Sequence, residues 1–124
     1  MNEATGKLAK LVAHLATDKK ALDIVLLEIG KVSLIADYFV IASGKNKLQV
    51  QAIADHIIAE LKKEGQQLLH KEGYAEGLWT LLDYGSVVVH IFQMEERRFY
   101  NLERLWGHAP QQAVLPHSSG TRQE

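Results

Sequence analysis

Apolar residues recur along the chain with two different periods, and these periods predict three helices and five strands. Leu8, Leu11, Val12 and Leu15 follow the i, i+3, i+4, i+7 spacing of one helical stripe, and residues 47–64 repeat that pattern over a longer stretch. Runs rich in β-branched and aromatic residues predict strands instead. The predicted helices are 4–20, 47–64 and 95–106, and the predicted strands are 23–29, 38–42, 67–71 and the two arms of 79–93.

The segment 79–93, which reads WTLLDYGSVVVHIFQ, predicts a β-hairpin around which the rest of the chain is arranged. Its two apolar runs flank the turn-like DYGS, in which Gly85 supplies the backbone freedom that a tight reversal needs. The second arm is apolar at almost every position. This pattern predicts an inner strand with both faces buried.

The predicted elements follow the order α-β-β-α-β-β-β-α, which is typical of a single-domain α/β fold with a mixed sheet of about five strands flanked by helices. A strand, a long helix and another strand within residues 38–71 have the form of a parallel crossover, which is expected to be right-handed. From residue 111 the sequence is polar, without periodicity. We therefore expect residues 1–110 to form the domain and residues 111–124 to form a flexible tail.

Composition narrows the classes of function. The chain has 124 residues, a net charge of −1 and no cysteine, which excludes disulfides, thiolate metal sites and cysteine nucleophiles. This net charge gives no general attraction to nucleic acid or to acidic membranes. The N-terminal sequence lacks the apolar core of a secretory signal, and no apolar run approaches the roughly 18 residues of a membrane span. We expect a cytoplasmic protein that binds neither membranes nor specific nucleic-acid sequences.

Residues with catalytic or metal-binding chemistry do not have the spacings that such sites require. The histidines form neither HxxxH nor HxH, and no GxSxG or P-loop pattern is present. Nucleotidyl transfer needs carboxylates about two residues apart on a strand to hold divalent metal ions, whereas Asp23, Glu28 and Asp83 are each isolated. Ser43-Gly44 resembles an anion-binding helix start, but a structural turn is favoured. The sequence predicts no catalytic residue, no metal and no cofactor.

Several hairpin residues leave a structural and a functional interpretation open. Strand alternation places two sets on opposite faces, namely Trp79, Leu81 and Asp83 against Thr80, Leu82 and Tyr84. For His90, a core histidine with one satisfied hydrogen bond, for example to a nearby carboxylate, is favoured over a binding role. Asp83 is typical of a residue that initiates a turn. For Trp79, core packing and a role as a binding anchor have equal weight.

Short motifs occur in order and in register between residues 8 and 110. They are DYFVI with Ser43-Gly44, IADH on the long helix, Glu76-Gly77 with Trp79, LDYG and VVVHIF in the hairpin, and Arg98, Tyr100, Leu102, Glu103 and LWG in the last helix. Through this combination the chain resembles the Iojap family, also called the ribosomal silencing factor RsfS. Ser86 departs from the usual acidic residue after the hairpin glycine, and Asn46-Lys47 replace small hydroxyl residues at the start of the long helix.

The resemblance implies a fold related to nucleotidyltransferases without their catalytic carboxylates. It also implies binding to the large ribosomal subunit, through its fourteenth protein, at the face that the small subunit must cover. Occupation of that face would block subunit joining and repress translation when nutrients are short. The family's contact surface implies a binding set in the hairpin, which is Trp79, Leu82, Asp83 and Tyr84, with Asp37 and Arg98 as further candidates.

Two other interpretations remain open. An enzyme of nucleotidyltransferase type would bring two or more carboxylates within about 4–6 Å of each other at the end of the sheet, and we expect none there. A generic dimeric adaptor would use an exposed apolar patch only for self-association. Because the resemblance implies that family members tend to pair with themselves, a homodimer is compatible with more than one interpretation.

Overall fold

Six strands form one mixed sheet within residues 3–114, the part of the chain that the computed structural model describes. The helices are α1 (Glu3–Asp18), α2 (Lys47–Lys63), α3 (Met94–Tyr100) and α4 (Leu102–Leu105). The strands are β1 (Leu22–Leu27), β2 (Tyr38–Gly44), β3 (His70–Glu72), β4 (Trp79–Asp83), β5 (Val87–Gln93) and β6 (Gln111–Val114), and a 3₁₀ turn spans Ile29–Lys31. The prediction of an α/β fold with a mixed sheet is confirmed, with six strands in place of five.

The strands lie in the order β3-β4-β5-β2-β1-β6, so β5 and β2 occupy the middle of the sheet. β2 and β5 are parallel, and the other neighbouring pairs are antiparallel. Because β3 is antiparallel to β4, β4 is antiparallel to β5 and β5 is parallel to β2, β3 runs in the same direction as β2, with two strands between them. The connection through α2 is therefore a parallel crossover, as predicted, that passes β5 and β4.

The predicted hairpin is confirmed in β4 and β5, where Trp79 lies opposite Phe92 and Leu82 lies opposite Val89. Burial along β4 alternates, as a strand with one core face requires. In β5, the consecutive residues from Val89 to Phe92 are all buried. The prediction that the second arm is an inner strand is therefore confirmed.

Helices α1 and α2 cover one face of the sheet. The predicted stripe of α2 is buried there, and it consists of Val50, Ile53, Ala54, Ile57 and Leu61. These side chains pack against the hairpin residues that point to the same face, including Leu82, Val87, Val89 and Ile91. The start of α2 is fixed by Asn46, whose side chain accepts a hydrogen bond from the backbone N of Gln49 at 2.9 Å. The predicted N-cap is thus confirmed.

The opposite face of the sheet carries a smaller core. Leu27, Phe39, Ile41 and Phe92 meet Leu102 of α4 in this cluster. Trp79 and Val88 pack against it while staying partly exposed. This face is therefore covered near β1 and β2 and remains open over β4.

The predicted helix 95–106 is interrupted at Asn101, so the prediction of one continuous helix is wrong. Asn101 has φ = 47°, in the left-handed region that ends α3, and its side chain accepts a hydrogen bond from the backbone N of Arg104 at 3.3 Å, which starts α4. The change of direction divides the expected apolar stripe. Leu102 is buried, whereas Phe99 is 79% exposed and Leu105 is 69% exposed.

Residues 111–114 form the edge strand β6, so a tail that begins at residue 111 is wrong for these four residues. β6 is antiparallel to β1, with Gln111 opposite Leu27 and Val114 opposite Ile24. Pairing with β1 satisfies the backbone N–H and C=O groups of this segment. Its polar sequence gave no signal for a strand. The rest of the predicted tail, residues 115–124, lies outside the described residues.

Three further strands begin or end at unpredicted positions. β2 continues through Ser43 and Gly44, which were predicted to form a turn, because both residues pair with β5. β1 stops at Leu27 because the chain enters the 3₁₀ turn, and its register shifts between Leu22 and Val25, where Asp23 has φ = 51°. β3 begins at His70 and includes only three residues. The predicted strand at 67–71 is therefore present but displaced toward Glu72.

Arg97 joins the α3–α4 segment to the end of the sheet. Its side chain is buried, and it donates hydrogen bonds to Ser43 Oγ at 2.9 Å and to Glu103 Oε2 at 2.7 Å from Nη2 and 3.2 Å from Nε. Nη1 also reaches the carbonyl O of Leu22 at 3.5 Å. The buried guanidinium thereby ties α3 and α4 to β1 and β2.

Candidate functional site

A row of partly exposed side chains on β4 lies on the sparsely covered face of the sheet. Trp79, Leu81 and Asp83 point to this face, and Val88 of β5 lies opposite Asp83. We call these four residues the open strip. They combine apolar surface with one carboxylate on rigid neighbouring strands, an arrangement suited to docking a partner surface.

Trp79 is the largest side chain of the open strip, and three contacts hold it. Its ring stacks on Phe92, with centroids 4.9 Å apart, and meets Tyr100 of α3 at 4.6 Å. Its indole Nε1 donates a hydrogen bond to His90 Nδ1 at 3.1 Å. Both interpretations of Trp79 fit this position, because it packs against the core and still keeps partly exposed surface.

Two aromatic side chains that the sequence did not assign to the site extend this surface. Tyr100 contacts Trp79, and Phe99 meets Tyr100 edge to face at 5.0 Å. Both side chains are exposed. We call Trp79, Phe99 and Tyr100 the aromatic patch. The sequence signal that could have indicated their exposure is Asn101, because asparagine adopts the left-handed conformation that ends the helix directly after these two residues.

The structure brings the two predicted acids to the same end of the sheet. Asp83 Oδ1 accepts a hydrogen bond from the backbone N of Gly85 at 2.8 Å, so its predicted turn role is confirmed. Asp37 lies beside this turn because its backbone N donates to the carbonyl O of Ser86 at 2.9 Å. Both side chains are partly exposed. They place negative charge at the end of β4 that is remote from Trp79.

Leu82 and Tyr84 point away from the open strip. Leu82 is 0% exposed, and both residues belong to the core beneath α1 and α2. Burial raises the pKa of Tyr84 to about 12, and its hydroxyl has no hydrogen-bond partner among the described residues. The side chain of β4 that faces outward between Trp79 and Asp83 is Leu81. Leu81 therefore replaces Leu82 and Tyr84 in the surface that we consider below.

Arg98 lies apart from the open strip. It is exposed on α3, in the wall of a cleft of about 850 Å³ that Asp23, Asn101 and Val114 also line. The structure therefore brings Trp79 and Asp83 onto one face with Asp37 at its end, and it places Arg98 elsewhere.

His90 is a buried residue behind Trp79, in agreement with the structural interpretation. It is 4% exposed, and its ring meets Phe39 edge to face at 4.5 Å. Its hydrogen-bond partner is Trp79 and not a carboxylate, and its Nε2 has no partner among the described residues. Burial lowers the pKa of His90 from 6.5 to about 4.

This pKa predicts a loss of stability in mild acid. The unfolded chain binds a proton at His90 near pH 6.5, whereas the folded chain binds it only near pH 4. The contribution of neutral His90 to the free energy of unfolding is therefore complete above about pH 6.5 and is lost as the pH falls toward 4. Between pH 7 and pH 5, the free energy of unfolding should fall by about 2 kcal/mol more in the wild type than in His90→Asn. Urea unfolding of both proteins at the two pH values measures this difference, and equal losses would contradict it.

The described residues contain neither a metal-ligand cluster nor a membrane-spanning helix. In residues 3–114, no group of three or more His, Cys, Asp or Glu side chains is placed to hold a metal ion. Over the same residues, none of the helices is both long and apolar enough to span a bilayer.

Comparisons with known proteins identify relatives of this chain by sequence and by fold. The family described as RsfS, ribosomal silencing factor during starvation, matches residues 2–124. The ribosomal silencing factor RsfS of Bacillus subtilis is 47% identical over 103 residues, covering 83% of this chain and 87% of the relative. A mouse protein named mitochondrial assembly of ribosomal large subunit protein 1 is 29% identical over 99 residues, covering 77% of this chain and 43% of that protein.

A solved structure has the same fold. A crystal structure of a protein from Chromobacterium violaceum superposes with a TM-score of 0.81 and 32% identity, covering 95% of this chain and 98% of that one. The relatives that share this fold place the chain in a regulatory, non-enzymatic class of protein. Within that class, the chain belongs to the family of ribosomal silencing factors, RsfS. The predicted family and the prediction that the chain is not an enzyme are confirmed.

Proposed function

We propose that this protein binds the large ribosomal subunit, through the fourteenth protein of that subunit, and sterically prevents the small subunit from joining. In this way it represses translation when nutrients are limiting, and it acts in the cytoplasm. The observation that carries the proposal is the surface formed by the open strip and the aromatic patch, which share Trp79, in a chain that belongs to the silencing-factor family. A mouse relative named for assembly of the ribosomal large subunit supports the choice of subunit.

The aromatic patch supplies the anchor for such a partner. Buried aromatic side chains carry much of the binding energy of protein interfaces, especially when neighbouring contacts exclude water. Trp79 is already fixed between Phe92 and Tyr100, so little side-chain freedom would be lost on docking. Leu81 and Val88 would provide the apolar surroundings that keep water away from the anchor.

The acids at the end of the open strip suit a basic partner surface, such as a ribosomal protein presents. Asp83 belongs to the hairpin turn, and the backbone of Asp37 is hydrogen-bonded to Ser86 in the same turn. Their charges would steer association and fix orientation more than they would raise affinity. Ser86 removes one negative charge that the family usually has at this turn, so this member would have a weaker electrostatic contribution.

The mechanism requires occupation of a surface and no chemical step. A folded domain bound across the face that the small subunit must cover excludes that subunit by volume. This mechanism differs from a nucleotidyltransferase activity, which needs clustered carboxylates.

Co-sedimentation with purified large and small subunits tests the binding step. We expect the protein to pellet with large subunits only. Leu81→Arg should abolish pelleting, because a bulky cation would face a basic surface. Leu48→Arg, at an exposed position of α2, should leave pelleting unchanged. Wild-type protein that pellets with neither subunit would refute the proposal.

Self-association is a second candidate property. The loop between the 3₁₀ turn and β2 exposes Val32, Leu34 and Ile35, an apolar set with no packing role in either core cluster. A homodimer would cover such a loop. Sedimentation equilibrium of the wild type and of Leu34→Asp separates this property from ribosome binding, because only the dimer should respond to Leu34.

A further inference from the structure

His90 lies directly behind the partly exposed indole of Trp79. The two residues are diagonal neighbours on β4 and β5, because Leu81 lies opposite His90 and Trp79 lies opposite Phe92. The hydrogen bond from Trp79 Nε1 to His90 Nδ1 is 3.1 Å long. The buried histidine is therefore connected to the proposed anchor by a directional contact.

The hydrogen bond determines which nitrogen of His90 carries the proton. An indole N–H can only donate, so Nδ1 must be the unprotonated acceptor and the neutral ring must hold its proton on Nε2. An imidazolium would have donors on both nitrogens and would break the contact. Burial among Phe39, Phe92 and Trp79 keeps the ring neutral, since these neighbours offer no charge to stabilise a cation.

The aromatic neighbours alone do not fix the orientation of the indole. The ring of Trp79 is inclined by 29° to Phe92 and by 47° to Tyr100. Such stacking is also compatible with a ring turned by about 180° about the Cβ–Cγ bond, which keeps the ring plane but reverses the direction of Nε1–H. The bond to His90 removes that freedom because it selects the direction of Nε1–H. It also directs the indole N–H inward, so the surface offered to a partner is the apolar part of the ring.

We propose that His90 is a positioning residue, which holds the indole of Trp79 in the orientation that meets the partner surface. This inference rests on the proposed function, in which Trp79 is the anchor. It assigns to His90 a role in recognition that acts through Trp79, in addition to its place in the core.

Two substitutions separate positioning from simple core packing. His90→Asn keeps an acceptor near the position of Nδ1, because the Oδ1 of asparagine is bonded to Cγ in the same way as the Nδ1 of histidine. His90→Leu fills the space without an acceptor. Val89→Ala is the matched control, since Val89 is also buried on β5 but belongs to the opposite core. The readouts are the indole N–H signal of Trp79 in NMR, distinguished from that of Trp106 by Trp79→Phe, and the affinity for large subunits.

In His90→Leu we expect the indole N–H of Trp79 to exchange with solvent at least about tenfold faster, and affinity to fall about tenfold, the equivalent of one neutral hydrogen bond. His90→Asn and Val89→Ala should both bind like the wild type. A folded His90→Leu protein that keeps the protected indole, or that loses it and still binds like the wild type, would overturn the inference.

A measurement on the wild type remains decisive if His90→Leu does not fold. Nitrogen-15 NMR of the histidine rings should show the proton of His90 on Nε2, and a proton on Nδ1 would overturn the inference. Wild-type protein that does not bind large subunits would instead refute the proposed function. In that event the nitrogen-15 spectrum, which needs no ribosomal subunit, still decides whether Nδ1 of His90 accepts the bond that holds the ring.

Discussion

Replacement of Trp79 by alanine should weaken binding to the large subunit by about thirtyfold or more, the loss expected when a central aromatic anchor is truncated. Trp79 supplies the largest apolar surface of the open strip, and its contacts with Phe92, Tyr100 and His90 hold it in place before binding. A preorganised side chain loses little entropy on docking. Titration of labelled protein with purified large subunits measures the change.

Graded variants make this result interpretable. Trp79→Phe should give an intermediate affinity, since a smaller ring can still stack on Phe92 but cannot donate to His90. Leu48→Ala, which truncates a side chain that is 77% exposed on α2, should bind like the wild type. Circular dichroism and thermal unfolding identify the fraction of each variant that is folded. A folded Trp79→Ala protein with wild-type affinity would remove Trp79 from the interface.

Replacement of Arg97 by methionine should lower the free energy of unfolding by about 2–4 kcal/mol. This is less than the roughly 3–5 kcal/mol for breaking a fully buried ion pair, because Glu103 is partly exposed. Methionine fills similar space but leaves Ser43 Oγ and the carboxylate of Glu103 without the donors they have in the wild type. The segment that carries Phe99 and Tyr100 would lose its attachment to β2. Urea unfolding followed by far-UV circular dichroism measures the loss.

Arg98 provides the matched control for this substitution. It is the next residue on α3, but it is exposed and forms no ion pair within the described part of the chain. Arg98→Met should change the free energy of unfolding by less than about 0.5 kcal/mol. Equal losses in Arg97→Met and Arg98→Met would show that the buried contacts of Arg97 do not stabilise the α3–α4 segment.

The parts of the fold that periodicity predicted are those in which one face is buried by many neighbours. The stripe from Val50 to Leu61 needs no tertiary information, because only a helix brings these residues together. The continuous apolar run of β5 similarly predicts an inner strand, since water is excluded from both of its faces. The local pattern was sufficient for these elements because their buried positions are the same positions at which the sequence is apolar.

The parts that the sequence did not predict depend on long-range contacts or on a single backbone angle. β6 is polar and short, and it is a strand because β1 offers unpaired backbone groups along its edge. The break at Asn101 depends on one residue in the left-handed region, which asparagine adopts more readily than most residues. Neither feature leaves a periodic signal in the sequence.

The sequence predicted the strands that carry the candidate surface, but only some of the side chains that the structure exposes there. Alternation along β4 already placed Leu81 beside Trp79 and Asp83, and it placed Leu82 and Tyr84 on the opposite face. The family resemblance pointed to the hairpin without distinguishing its faces. Phe99 and Tyr100 could not be added from the sequence, because their exposure follows from the break at Asn101.

A subunit-joining assay tests the central claim most directly. Large subunits saturated with the protein, as verified by co-sedimentation, are mixed with small subunits, and light scattering follows formation of the joined ribosome. The wild type should prevent joining, whereas Leu81→Arg at the same concentration should leave its rate and extent unchanged. Joining that proceeds at the normal rate while wild-type protein remains bound at saturation would contradict the account.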